Sequence, residues 1–550
     1  MFRSSRILAL SFVLLTVFTT GCFGSNRAWK PHASNEGTFP EAYLPGEVGL
    51  VLSYSSRMED QKTALDEIEV QLGDAGRLGK TFSENMDSQL QGSGLDYEKD
   101  LLPALGASYR VVFANKDESA FSAITLEDSA AMVKALDSLV QQNQLTRKTL
   151  GSTDAYVNEE GRFYAALDGD ILLVSSTAED LTAMLDQKKA DSLWENDNYQ
   201  DALKAMGPNH VVYAVMFPAF LAESAGLPTG VSALPEALQY QAFVARAETD
   251  GLGMEVFVQA DGEKAKNLSW DFSAIPRSKP YLFKEVPSDD LMVYMESYGL
   301  RQSMEQAQKI GDDTGSFEAM NQFFKNYFSA DFNEEILSFL GKAYVFSVHQ
   351  NGEGALPGLS LFVDVSENVD DAKSFADKLD AQIGTLSLVF QTALPGAVSK
   401  ETVKISGEDL STLVLDFSKL SDPALGASTL PPALTAKPIR LSYGLLDERF
   451  LITTAQVWSL ESSMPISDGE LYNSLKGRLA GADEGLILVD MQGVVDFMET
   501  LRALRSDLSL GVPQESLDLE GLLKGFSGAI FASETKGLES HIKGFMMLAQ

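Results

Sequence analysis

The same four landmarks occur twice along the 550 residues, in the same order, which limits the chain to one unit built two times. Leu44-Pro45, followed by the apolar run from Val48 to Leu52, returns as Val286-Pro287 followed by Leu291 to Met295. Leu105-Gly106-Ala107-Ser108-Tyr109 opens a strand-like segment, and Leu340-Gly341-Lys342-Ala343-Tyr344 opens another. Asp168 through Ile171-Leu172-Leu173 to Leu181 lines up without gaps on Asp447 through Phe450-Leu451-Ile452 to Leu460. Glu248-Thr249-Asp250-Gly251-Leu252 matches Glu534-Thr535-Lys536-Gly537-Leu538. The spacing between copies grows from 242 residues at the first landmark to 286 at the last. The second copy therefore carries insertions, notably the loop from Asp422 to Lys437 with its Pro431-Pro432. Length alone allows two to four domains at about 150 residues each, and the repeat reduces that to two.

Inside each copy the hydrophobic period switches between two and 3.6. Val48 to Ser53, Tyr109 to Phe113 and Leu359 to Val365 alternate as strands do. Leu65, Ile68 and Leu72 form a helical stripe, and so do Met132, Val133, Leu136, Leu139 and Val140, with Asp128 and Ser129 placed to cap the latter. Val369, Ala372, Phe375, Ala376 and Leu379 are the counterpart in the second copy. Asp168-Gly169 and Asp250-Gly251 are tight-turn dipeptides between apolar runs, so adjacent strands pair antiparallel. The expected class is α+β: two similar tandem domains with mainly antiparallel sheets and helices packed on one face. The boundaries expected are 43–262 for the first domain and 283–550 for the second, with 263–282, carrying Trp270, Pro276 and Pro280, as connector.

Ahead of the repeat lies an export signal, residues 1–21. Arg3 and Arg6 precede a twelve-residue apolar run from Ile7 to Phe18, too short to span a bilayer core, which needs about twenty. Thr19-Thr20-Gly21-Cys22 resembles a bacterial lipobox, whose cysteine receives diacylglycerol on sulfur and becomes the new N-terminus after cleavage. Thr19 stands where that signal usually carries Leu, which leaves ordinary cleavage or an uncleaved anchor as alternatives. Cys22 is the only cysteine, so no intramolecular disulfide exists and lipidation is its expected role. Residues 22–42 read as the lipidated cysteine and a flexible tether rich in Ser, Asn, Gly and Pro. Phe23 follows the cysteine rather than the Asp that resembles an inner-membrane retention signal, so the destination is the outer side of the cytoplasmic membrane or the outer membrane.

Forty-three basic against 78 acidic residues give a net charge of −35, which opposes binding to nucleic acid. The leader removes two of those basic residues. The four histidines, His32, His210, His349 and His541, pair with no visible nucleophile motif, and the elbow, zincin and phosphate-loop patterns are absent. No catalytic residue is assigned, and no cofactor is expected. The acidic pairs Asp312-Asp313, Glu334-Glu335 and Asp370-Asp371 lack the alternating oxygen ligands of a calcium loop and suit helix starts, so no metal site is expected either. Phe323, Phe324, Tyr327 and Phe328 stand at helical spacing, as core or as a ligand groove, with core preferred.

With its Leu44-Pro45 opening, Leu105-Gly106 strand entry and repeated hairpins, the body resembles the bacterial domain-of-unknown-function family 3352. That resemblance implies an exported or membrane-anchored protein and carries over no reaction. The expected function is a lipid-anchored, non-catalytic envelope protein whose duplicated domain binds or scaffolds an envelope protein or a small ligand. The alternative is an exported hydrolase or carbohydrate-active enzyme using carboxylates, in which two such groups would face each other about 5 to 10 Å apart.

Overall fold

The structure, a computed structural model, describes residues 39–55, 102–105, 110–116, 119–187, 191–207, 210–218, 237–248, 250–267, 277–311, 316–352, 356–393, 396–419, 437–459, 463–479, 482, 484–508 and 523–549. The leader, Cys22, the helical stripe at Leu65, the pair Asp312-Asp313, Trp270, Pro276 and the proline loop lie outside them. The chain divides into two compact units at Asp261 and Gly262.

The first unit is an antiparallel sheet of ten described strands: β1 (Leu50–Ser55), β2 (Arg110–Lys116), β3 (Ser119–Thr125), β4 (Leu145–Leu150), β5 (Thr153–Asn158), β6 (Tyr164–Asp168), β7 (Ile171–Ser175), β8 (Val212–Met216), β9 (Leu238–Glu248) and β10 (Gly251–Ala260). Their pairings give the order β10-β9-β8-β1-β2-β3-β7-β6-β5-β4. Among the described residues it is accompanied by a short helical turn at Leu102–Leu105 and by the helices α1 (Ser129–Gln141), α2 (Ala178–Asp186) and α3 (Asp197–Met206). Each of α1, α2 and α3 begins on the residue type its N-terminus requires: Asp128, Thr177 and Asn196 accept main-chain N–H groups through their side-chain oxygens.

The second unit has β11 (Leu291–Tyr298), β12 (Ala343–His349), β13 (Gly358–Asp364), β14 (Val398–Ile405), β15 (Glu408–Leu415), β16 (Ile439–Leu446), β17 (Arg449–Thr453), β18 (Glu484–Asp490), β19 (Phe526–Lys536) and β20 (Glu539–Leu548). Their order is β20-β19-β18-β11-β12-β13-β17-β16-β15-β14, again antiparallel throughout. Strand for strand this is the order of the first unit. Its described helices include α4 (Leu300–Gly311), α5 (Ser316–Phe328), α6 (Val369–Ala393), α7 (Glu470–Leu475) and α8 (Met491–Leu508). Leu282, expected in the connector, is fully buried in the core of this unit.

Helices cover both faces of each sheet, which corrects the expectation of one. In the first unit Val51, Val112 and Leu173 face a core with α2 and α3, while their neighbours Leu52, Val111 and Leu172 face a second core with α1. In the second unit Phe362 and Leu451 pack with α7, and Val363 and Phe450 pack with α6. Consecutive apolar residues such as Ile171-Leu172-Leu173 put oil on both sides of a strand, so both sides need cover. The third sequence landmark is off by one residue. Turn residues Gly169-Asp170 of β6–β7 occupy the place of Asp447-Glu448 in β16–β17, so Leu173 matches Leu451, both fully buried on the same face. A slip of one would have turned Leu451 to the opposite face. The fourth landmark is off by two, since the turn after Glu248 matches the turn after Lys536. The first landmark is exact in hydrogen bonding: the Leu193 N–H donates to the Leu44 carbonyl at 2.9 Å, and Ile466 N–H donates to Val286 at 3.0 Å.

Candidate functional site

The turn Ser288-Asp289-Asp290 leads into β11, with Asp290 in the left-handed region at φ 54°. Opposite it, β18 ends at Asp490, where the chain turns directly into α8. Asp490 caps that helix, its Oδ1 accepting the N–H of Gln492 at 3.0 Å and of Gly493 at 3.3 Å. A side chain at position 493 would come within 3.1 Å of Met292, so glycine allows the helix to start this close to β11. Together with α7 these elements enclose a cleft of about 460 Å³.

The lining of the cleft carries five carboxylates, Asp289, Asp290, Glu470, Asp490 and Asp496, and no Lys, Arg or His. Burial, followed by the charge of Asp496, pushes the Asp490 carboxyl above the usual range, although the two N–H groups on its Oδ1 pull the other way. The Asp289 carboxylate is occupied by the Met464 N–H at 3.1 Å. Such a surface attracts cations, amines and hydroxyl-rich molecules and repels phosphates and carboxylates.

His349 lies under the same turn, fully buried. Its Nδ1 stands 3.2 Å from the Asp289 carbonyl and its Nε2 3.0 Å from Ser347 Oγ. Burial holds the imidazole below its ordinary range, so at neutral pH it is uncharged, donating to Asp289 and accepting from the serine. This is the geometry of a serine nucleophile with its base, but Ser347 is fully buried too, and no substrate can reach it. His210 lies edge-on to Tyr213 at 4.7 Å, and His541 stands on β20 opposite Glu534. Cys22 and His32 lie outside the described residues.

The other sites expected from sequence fall as follows. Asp370 and Asp371 occupy the first turn of α6, while Glu335 pairs with Lys378. Among the described residues no group of three or more His, Cys, Asp or Glu is arranged to hold a metal ion, and no helix is long and apolar enough to cross a membrane. Phe324 and Phe328 pack against Phe375, whereas Phe323 and Tyr327 are 49% and 62% exposed, so the aromatic stripe is core on one side only.

Sequence reasoning missed a buried carboxylate in each unit, Glu296 on β11 and Glu41 in the turn ahead of β1. Glu296 on β11 accepts the N–H groups of Tyr281 at 2.8 Å, Leu282 at 3.1 Å and Phe283 at 3.2 Å, and the hydroxyls of Tyr294 at 2.5 Å and Tyr298 at 2.9 Å. In the first unit Glu41 accepts the hydroxyls of Tyr199 at 3.0 Å and Tyr213 at 3.3 Å. Beside Glu296, Arg449 grips Glu285 with two bonds of 3.1 Å and Asp364 at 3.2 Å. Burial pushes Asp364 up, but hydrogen bonds from Ser366 and Tyr281 and the charge of Arg449 outweigh it and hold the carboxyl below the usual range. The signal was present: Tyr294, Glu296 and Tyr298 alternate and so share one face of a strand.

The family model for a protein of unknown function (DUF3352) matches residues 52–394, more than half of the chain. The chain belongs to that family. In this DUF3352 protein the matched segment includes the Ser288–Asp290 side of the cleft and ends before the side formed by Glu470, Asp490 and Asp496. Comparison with curated proteins finds no match. Among solved structures, crystal forms I, III and IV of TP0453 are similar at 8–9% identity. They cover 40–44% of this chain and 80–89% of their own, with TM-scores of 0.25–0.26, a likeness too slight to bear on fold or chemistry.

Proposed function

We propose that this is an exported, lipid-anchored protein of the cell envelope that binds a ligand or partner without transforming it. The observation that carries the binding reading is the acidic cleft of the second unit, in which two of the five carboxylates, Asp289 and Asp490, already hold main-chain N–H groups. Asp490 caps α8, and the pair of His349 and Ser347 is sealed in the core. A cation-bearing or hydroxyl-rich small molecule, or a basic segment of an envelope protein, matches this lining; nucleic acid does not. The anchor is Cys22, through which the chain meets the membrane on its outer side. The shared strand order of the two units supports reading them as copies of one ancestral domain.

Native mass spectrometry after incubation with envelope extract tests the binding reading. The wild-type chain should carry an adduct that Gln492→Trp, which fills the cleft, loses; no adduct on the wild type overturns it. For the anchor, palmitate should label the wild type and not Cys22→Ser, and equal labelling of both would refute it. A second reading, a carboxylate hydrolase, draws on the raised Asp490 beside Asp496. Turnover of any glycoside by the wild type that falls in Asp490→Asn would favour it over binding.

A further inference from the structure

The last turns of α6 are inverted. Ser387 is 2% exposed and faces the protein, while Leu388 and Val389 are 67% and 59% exposed, with Leu386 and Phe390 also exposed beside them. Leu386, Val389 and Phe390 stand at i, i+3 and i+4 and form one continuous apolar face. A helix whose polar residue is inside and whose large apolar residues are outside is built to be covered. The surrounding charge says by what. Residues 381–399 contain no Asp, Glu, Lys or Arg, the longest such run after the leader, in a chain that is 22% charged and would otherwise place about four there. A second copy with its own net charge of −35 would be repelled. A basic partner would find no carboxylate in the patch to pair with.

We infer that the C-terminal half of α6 is a membrane-contact surface that dips into the interface of a lipid bilayer. The inference rests on the envelope reading above, which places a bilayer within reach of the chain. With no Lys or Arg in the run, contact is apolar and independent of anionic lipid and salt, unlike that of a basic interfacial helix. Phe390 and the two leucines are residue types that an interfacial helix buries at the boundary of headgroups and acyl chains.

The test reads the surface without the anchor. In the full chain carrying Cys22→Ser and Val389→Cys, position 389 holds the only thiol and takes a polarity-sensitive dye. On addition of excess phosphatidylcholine vesicles the emission should move to shorter wavelength and be quenched by brominated lipid, at low and high salt alike. The same dye on Lys373→Cys, exposed near the other end of α6, should stay in water. Adding Leu386→Asp and Leu388→Asp, both at exposed positions, should abolish the change while circular dichroism is retained. If position 389 remains aqueous while the chain co-floats with vesicles, the surface is not a membrane contact and the proposal falls. If it is already shielded without lipid and the mass doubles, a second copy is the occupant and the proposal falls equally. Failure of the anchor shows separately, in the palmitate labelling.

Discussion

Glu296 concentrates more of the second unit's order than any other side chain described. Replacing it with Ala would leave three main-chain N–H groups and two tyrosine hydroxyls buried without an acceptor, each such orphan costing about 1–3 kcal/mol. With partial relaxation, Glu296→Ala should lose about 3–5 kcal/mol, read as a lower urea midpoint at unchanged slope. His349 yields a pH dependence of definite sign. The folded chain prefers the neutral imidazole, while the unfolded chain binds the proton at the ordinary 6.5. Stability from this site is therefore full above that pH and is lost as pH falls below it toward the lower folded value. Melting temperature should fall as pH drops below the ordinary 6.5, and His349→Gln should flatten that slope. Neither residue was legible as what it is. A glutamate in an alternating run looks like the wet side of a strand, and only the tyrosines two positions away on either side hint at burial.

At the scale of elements, local chemistry was readable where it acts within a few residues. Asp128 was recognised as a helix cap and accepts the Ala131 N–H at 2.9 Å. Asp128→Ala should cost about 1 kcal/mol and Asp128→Gly only a few tenths, measured as the shift in denaturation midpoint. A hairpin was expected at Asp168-Gly169 and one is there, displaced by one residue: Asp168 ends β6 and Gly169-Asp170 make the turn, with Gly169 at φ 59°, a left-handed position that glycine adopts freely. Asp447 at φ 51° holds the equivalent place in the second unit, and it misled the alignment by one residue because an aspartate also marks the end of β6. Which face a helix covers was not readable, since α1 and α2 carry similar stripes and only tertiary packing sends them to opposite sides of the sheet. The inverted end of α6 escaped for the same reason: a run of Leu, Val and Phe reads as core until its neighbours are known.

Across the whole molecule, the two units share one strand order, while the landmarks expected to mark it fit unevenly: the first is matched in hydrogen bonding, the third and fourth are displaced, and Gly106 to Tyr109 of the second lie outside the described residues. Each unit buries its own pair of cores, so a chain from Arg277 to Gln550 should fold alone and melt in one cooperative transition by calorimetry. A broad, non-cooperative melt would show that the second core is incomplete without the first unit. Among the described residues, each unit also finishes at an outer strand paired on one side only, β4 in the first and β14 in the second. These strands carry Arg147 and Lys148, and Lys400, Glu401 and Lys404. Charges along an open edge make it a poor template for another backbone, so neighbouring copies at high local concentration would resist joining strand to strand into fibrils.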